Sequence, residues 1–165
     1  MPTPEFVLRL REKIGHDQLW LPGVSVVVVD DAGRVLLGRR SDTGRWSIID
    51  GIPEPGEQPA AAAARECEEE AGVRPEILAV VAVETEEPTV YPNGDRCVFL
   101  DIGFVARVGA ERAAAAGVGD GELTAVAWFE PDALPAPLTP HASARIAAAR
   151  AWLADPTTPA RFRLE

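Results

Sequence analysis

The stretch GIPEPGEQPAAAAARECEEEAGV, Gly51 to Val73, changes character part-way along. The segment that leads into it, IIDGIPEPGEQP, holds three prolines and two glycines, a composition that forbids regular structure. From Pro59 the chain is predicted to enter a helix with proline in its first turn, run through five alanines and stop at Gly72. At about 100° per residue, with Glu66 as zero, Glu70 falls near +40° and Glu69 near −60°, so three carboxylates share one face. Ala60, Ala64, Cys67 and Ala71 cluster between about +100° and +160° as the core stripe, and Glu68, near 200°, faces solvent.

A solvated acidic face is the ordinary fate of such a run. Here it breaks three local rules. Glu66 with Glu69 and Glu66 with Glu70 are like-charge neighbours, each destabilising by roughly 0.2–0.5 kcal/mol in an isolated helix. The charges also approach the negative end of the helix dipole. Arg65, four residues before Glu69, offsets only part of this. A divalent cation would remove the conflict, which makes the helix a candidate functional site.

Working outward, PEFVLRLREKIG has helical spacing at Phe6, Leu10 and Ile14, and reads as a short lid or packing helix within an N-terminal extension, residues 1–20. GVSVVVVDDAGRVLLGRR gives two β-branched runs around Asp31-Ala32-Gly33, a hairpin whose first strand is apolar enough to be central. EILAVVAVETEE and RCVFLDIGFVARV read as long strands, with turn chemistry at Asn93-Gly94, and ELTAVAWFE as another. GAERAAAAGVGDGE is a loose connection able to form one helical turn. TPHASARIAAARAWLA closes the chain as an amphipathic helix over 140–155, with Ile146 and Leu153 on one face. Strands interleaved with a few helices predict an α/β/α sandwich with a mixed β-sheet, in a single domain over 1–165.

With 165 residues and 47% apolar content the chain can bury one core. A formal charge of −10 argues against nucleic acid or an anionic membrane as partner. Its longest purely apolar run, Val26 to Val29, is far short of a membrane span. Cys67 and Cys97, in no metal-binding spacing and with no signal-peptide pattern, fit a reduced cytoplasmic setting.

Gly51, Glu57, Arg65, Glu66, Glu69, Glu70 and Gly72 occupy the fixed positions of G-x5-E-x7-R-E-U-x-E-E-x-G-U, where U is bulky and apolar. Val73 fills the last apolar slot, and Cys67 the other, a mild departure. The segment resembles the Nudix box, and the flanking pattern is similar to the Nudix hydrolase family over most of the chain. The resemblance implies a Nudix-type fold and a Mg²⁺- or Mn²⁺-dependent enzyme that cleaves a phosphoanhydride in a nucleoside diphosphate linked to another moiety. It implies Glu66, Glu69 and Glu70 as metal ligands, with Glu57 as a fourth carboxylate, direct or through water. Arg65 ties Glu57 or Glu69 into place by a charge-assisted hydrogen bond. The family's general base varies, and Glu66 in the box and Glu122 in the later loop are the two candidates here.

Many relatives carry Pro-Gly-Gly where this chain has Ile49-Asp50-Gly51. The family's metal-ligating backbone carbonyl survives at Asp50, whose side chain either adds a ligand or disturbs the loop. Arg39 and Arg45 could hold phosphate, as could Arg40, and Trp46 could flank a base, although a Trp there is more often core. Substrate markers conflict, since Pro88 suggests ADP-ribose and Tyr91 dinucleoside polyphosphates. ADP-ribose or a nucleotide sugar stands slightly ahead, with nucleoside triphosphates and dinucleoside polyphosphates as alternatives. A non-catalytic Nudix-fold nucleotide sensor is a further alternative, though no box glutamate is missing. An acidic calcium-binding domain is a third class, against which no EF-hand loop appears. The resemblance leaves a homodimer open.

Overall fold

A computed structural model describes residues 3–91, 93–119 and 121–164. Pro92, within the hairpin expected through EEPTVYPNGDRC, and Asp120, in the approach to the last strand, lie outside the described residues, as do 1, 2 and 165 of the expected domain.

The elements run α1 (Glu5–Ile14), β1 (Leu19–Val29), β2 (Val35–Arg40), β3 (Trp46–Ser47), β4 (Ile49–Gly51), α2 (Pro59–Ala71), β5 (Glu76–Thr85), β6 (Thr89–Val90), β7 (Arg96–Arg107), α3 (Ala110–Ala113), β8 (Leu123–Phe129) and α4 (Pro140–Ala154). β1 is central, as its valine run predicts. It lies parallel to β7 from Leu19↔Cys97 to Val29↔Arg107, and β5 is antiparallel on the far side of β7. Its other edge takes β4 near the middle, from Val24↔Gly51 to Val26↔Ile49, and β2 at its end, Val29↔Val35. β2 in turn carries β3 and β8, both antiparallel. The hairpin turn is fixed by Asp30, whose Oδ1 accepts the Ala32 and Arg34 amides at 3.0 and 2.8 Å.

β4 corrects one expectation. Ile49-Asp50-Gly51 falls within the segment whose composition predicts no regular structure, yet the prolines begin only at Pro53, leaving three residues free to pair with the open edge of β1. The N-terminal helix also ends earlier than the expected extension, because Leu19 and Trp20 already belong to β1.

Alternation along β1 sorts the core into two layers. Val24, Val26 and Val28 pack with Leu36, Ile49, Phe104 and the α2 residues Ala62, Ala63, Cys67 and Ala71. Val27 and Val29 pack with Val35, Leu37, Val81, Val105 and the α4 residues Ala142, Ile146 and Ala149. A helix on each face of a mixed sheet makes the α/β/α sandwich. Among the described residues no helix is long and apolar enough to cross a membrane.

The α4 side also holds charge. Arg145, only 2% exposed, donates from Nε to Asp101 Oδ2 at 2.9 Å and from Nη1 to Glu84 Oε2. Ser25 Oγ donates to the same Asp101 oxygen at 2.7 Å, and Arg161 Nε reaches Glu84 Oε1 at 2.9 Å. Burial pushes the Glu84 carboxyl up, but Arg145 and Arg161 outweigh it and hold it below the usual range. Truncating Arg145 leaves the buried Asp101 carboxylate without its cation and Glu84 with only the exposed Arg161 and Arg163. Arg145→Ala is therefore expected to destabilise by about 3–5 kcal/mol in urea unfolding, and a loss under about 1 kcal/mol would show that the network carries no such weight.

Candidate active site

α2 begins with Pro59 at its first turn and ends at Gly72, whose φ of 68° is the left-handed conformation that glycine accepts without strain. The Val73 amide returns to the Cys67 carbonyl at 3.3 Å. The buried residues are Ala62, Ala63, Ala64, Glu66, Cys67, Glu70 and Ala71. Their arc runs from about −40° to +160° on the helical wheel, and Glu66 and Glu70 lie inside it rather than beside it. Ala60, expected in the stripe, is exposed, because the helix meets the rest of the fold only from Ala62 onward. Glu68 is exposed, as expected, and pairs with Arg74 at 2.7 Å.

Glu66 is fully buried. Its carboxyl group lies where a side chain on residue 51 would stand, since a Cβ there would be 2.2 Å from Glu66 Cδ. This close approach accounts for Gly51. Neither Glu66 oxygen has a hydrogen-bond partner, although Arg65 Nη1 lies 3.1 Å from Oε1 as an ion pair. The two observations agree if the guanidinium attracts the carboxylate without pointing an N–H at it. Burial pushes the Glu66 carboxyl up to about 7, with Glu69 adding to the rise and Arg65 opposing it.

Arg65 bridges two carboxylates. Its Nε and Nη2 donate to the two oxygens of Glu57 at 2.9 Å each, and Nη1 donates to Glu69 Oε2 at 3.1 Å. The Glu57 carboxylate also accepts the Glu54 amide at 3.0 Å, and Arg65 chiefly holds it below its usual range. Glu69 sits at the exposed margin, and Glu70 is buried near Arg40, whose positive charge it favours. Among the described residues no three Asp, Glu, His or Cys side chains already converge as a metal cage. The donor set nevertheless fits a hard divalent cation, because Glu66 offers two buried oxygens that no N–H or O–H satisfies, with Glu57 and Glu69 flanking the same guanidinium.

The side chain of Asp50 takes a different direction. Its Oδ1 lies 3.4 Å from Arg40 Nη1, and its Oδ2 accepts from Ser47 Oγ at 3.2 Å and lies 3.4 Å from His141 Nε2. Burial pushes the Asp50 carboxyl up, yet His141, Arg40 and Ser47 together hold it below the usual range. For His141, burial lowers and Asp50 and Glu86 raise, with the partners prevailing. Tyr91 belongs to the same neighbourhood. Its hydroxyl is raised to about 12, mainly by burial, with Cys97 and Asp50 adding and Arg40 opposing.

The other expected residues are spread around this centre. Arg39 donates to the Gly44 carbonyl at 3.1 Å and Arg45 to the Leu138 carbonyl at 3.4 Å, both on the exposed side of the 41–45 loop. Trp46 packs edge-on against Phe129, centroids 5.0 Å apart, in the α4-side core. Glu122 is half-buried, and its carbonyl accepts the Ser41 amide at 2.8 Å, next to Arg40. Ser47, Glu86 and His141 are absent from the expected site. His141 sits in the first turn of α4 and meets β4 only through tertiary packing, so no local pattern marks it.

The NUDIX domain family model matches residues 19–150. The chain belongs to this family. It is 38% identical over 117 residues to a MutT-like protein of Streptomyces ambofaciens, covering 66% of this chain and 63% of that protein. It is 41% identical over 87 residues to an RNA pyrophosphohydrolase of Roseobacter denitrificans, covering 52% of this chain and 49% of that protein. The chain thus spans less than two thirds of the length of these relatives. Among solved structures, a MutT NUDIX hydrolase from Burkholderia pseudomallei superposes with a TM-score of 0.58 at 26% identity, covering 79% of this chain and 98% of its own.

The buried carboxyl predicts a pH dependence. Ionising Glu66 is opposed in the fold and not in the unfolded chain. Its penalty is small below the ordinary value of 4.5, grows as pH rises towards about 7, and is constant above. Between about pH 5 and pH 8, chelator-treated wild type should lose ~2–3 kcal/mol relative to Glu66→Gln in urea unfolding. Parallel pH profiles for the two proteins would contradict the assignment.

Proposed function

We propose that this protein is a divalent-metal-dependent pyrophosphohydrolase that cleaves a phosphoanhydride in a nucleoside diphosphate linked to another moiety. The observation that carries it is the pair of buried Glu66 oxygens on the box helix, neither hydrogen-bonded and one of them ion-paired with Arg65, beside Glu57 and Glu69. In this reading Glu57, Glu66, Glu69 and Glu70 hold Mg²⁺ or Mn²⁺, together with the Asp50 backbone carbonyl. When bound, the cation supplies charge neutralisation at the pyrophosphate and acidifies a water.

The chain's own groups do the remaining work. Arg65 fixes Glu57 and Glu69 so that both carboxylates are presented without a search over rotamers. Glu122 takes the proton from the attacking water, with Glu66 as the alternative base inside the box. The Asp50 carboxylate, held by Arg40, Ser47 and His141, orients donors toward the substrate rather than ligating metal through its side chain. Arg39 at the end of β2 and Arg45 on the loop that follows, both exposed, meet outlying phosphate, whereas Trp46 supports the loop from the core.

For substrate, ADP-ribose or a nucleotide sugar is placed slightly ahead, on Pro88 and the hairpin through Tyr91. Dinucleoside polyphosphates are favoured by Tyr91 itself, whose electrostatic neighbours include Arg40 and Asp50. Likeness to an RNA pyrophosphohydrolase adds a 5′-triphosphorylated RNA to the substrates worth testing, against which the charge of −10 weighs. A nucleotide sensor without turnover fits less well, because the box keeps all its glutamates.

The test compares kcat/KM for ADP-ribose, a diadenosine polyphosphate, nucleoside triphosphates and a triphosphorylated RNA at one Mg²⁺ concentration. ADP-ribose should lead, and a preference of about tenfold or more for another class would overturn that ordering. On the best substrate, Glu69→Gln and Glu70→Gln should each remove most activity with the fold intact, while Glu68→Gln should change little. Equal loss from all three would contradict the assignment of ligands on α2, and turnover unaffected by chelator would contradict metal dependence.

A further inference from the structure

The last turn of α2 leaves backbone carbonyls that the helix itself cannot satisfy. A segment distant in sequence supplies donors. The Gly117 amide donates to the Ala71 carbonyl at 3.0 Å, and the Gly119 amide to the Glu70 carbonyl at 2.9 Å. These carbonyls belong to the turn that carries Glu69 and Glu70. Two residues past Gly119 the chain reaches Gly121 and then Glu122.

Gly119 touches the helix more closely than any side chain would allow. A Cβ at 119 would lie 1.8 Å from the Glu69 carbonyl oxygen, 2.9 Å from Glu69 C and 3.1 Å from Glu70 C. All three are backbone atoms of a packed helix, so they cannot swing away as a side chain would. At Gly117 the nearest atom to such a Cβ, the Ala115 carbonyl oxygen, is 4.0 Å away. The demand for glycine is therefore specific to 119.

Glu122 is held from its other side as well. Its carbonyl accepts the Ser41 amide at 2.8 Å, and the β2–β8 register shifts between Arg39↔Ala125 and Arg40↔Leu123, which leaves Thr124 as an extra residue on β8. A bulge of this kind re-aims the side chains beside it. Glu122 thus follows Gly119 by three residues in the sequence, with Gly119 seated on the box helix and the Glu122 carbonyl held at the end of β2.

We infer that Gly119 is a positioning residue for Glu122: its missing side chain lets the 117–119 segment lie directly on α2, and this seating sets where the Glu122 carboxylate stands relative to Glu66, Glu69 and Glu70. The inference rests on the reading of Glu122 as general base. It makes the spacing between ligand helix and base depend on how closely residue 119 packs against the helix backbone.

The test measures kcat and KM on the best substrate for wild type, Gly117→Ala, Gly119→Ala, Glu122→Gln and the Gly119→Ala/Glu122→Gln double variant. Gly117→Ala should behave as wild type. Gly119→Ala should lower kcat on the order of 10- to 100-fold with KM changed little, the effect of a displacement near 1 Å. In the Glu122→Gln background Gly119→Ala should cost nothing further, since the two act through one group. A silent Gly119→Ala, or losses that multiply in the double variant, would overturn the inference while leaving the base in place. Wild-type turnover in Glu122→Gln would instead remove the base reading, and the inference with it. Two further measurements cover a poorly folded Gly119→Ala. One glycine inserted between Gly121 and Glu122 keeps the contact at 119 and releases the carboxylate, so kcat should fall to the Glu122→Gln level at unchanged Tm; wild-type kcat there would overturn the inference. A crystal structure of Gly119→Ala should show residues 117–122 moved off the Glu69 carbonyl, and an unmoved Glu122 would also overturn it.

Discussion

The carboxyl group of Glu66, buried between α2 and β4 with neither oxygen hydrogen-bonded, is the constraint to which the surrounding structure conforms. A charged group taken out of water is costly unless a partner compensates it. Several features follow from making room for it. Residue 51 must lack a side chain, because a Cβ there would meet the carboxyl carbon. The helix must come close to the sheet, and Ala62, Ala63 and Ala71, with the small Cys67, allow that approach. Arg65 must stay near without consuming the oxygens, and Glu57 holds it there with two hydrogen bonds. The like-charge crowding that destabilises the helix in isolation is thus centred on a buried carboxyl, where, on the proposed function, a cation would restore the balance.

The two faces of β1 divide the labour. On the α2 side, small apolar residues bring the box helix against the sheet, and charge is concentrated at the helix. On the α4 side, polar groups extend across the layer. Arg40, Asp50, Ser47, Thr139 and His141 are linked by side-chain contacts, and Glu86 lies near both His141 and Arg145. Arg145 then ties Asp101 and Glu84 together, and Arg161 of the C-terminal segment completes the pairing of Glu84. The Asp50 carboxylate stands at the meeting of these two regions. Through Asp50 this chain couples the strand beside Glu66 to a network of charge that runs beneath α4.

Much of this was legible from spacing. The valine run of β1 announces a central strand because only a strand buried on both faces can be so uniformly apolar, and the Pro59 start and Gly72 stop of α2 are written in residues with one conformational use each. The glutamates could be placed on a helix from their numbers. Their depth could not, since the wheel treats a face as polar or apolar, and Glu66 and Glu70 lie in the buried arc only because glycine at 51 and alanines on the helix let the backbones approach. β4 was hidden in a proline-rich loop, as pairing to an open edge depends on what β1 leaves unpaired. His141 and Glu86 had no local signal at all, for His141 reaches Asp50, and Glu86 reaches His141, from parts of the chain far away in sequence. Trp46 shows the reverse: a residue with two chemical uses is placed by Phe129, which the sequence does not connect to it.

The central claim, that the buried Glu66 carboxyl serves as a ligand for a divalent cation, is tested most directly by proton release. Mg²⁺ or Mn²⁺ is titrated into weakly buffered protein at about pH 6, below the raised Glu66 value, and liberated protons are counted alongside bound metal. Wild type should bind the ion and release about one proton more per ion than Glu66→Gln, because the carboxyl must ionise to ligate. Binding with equal proton release from the two proteins, or no binding by wild type, would contradict the account.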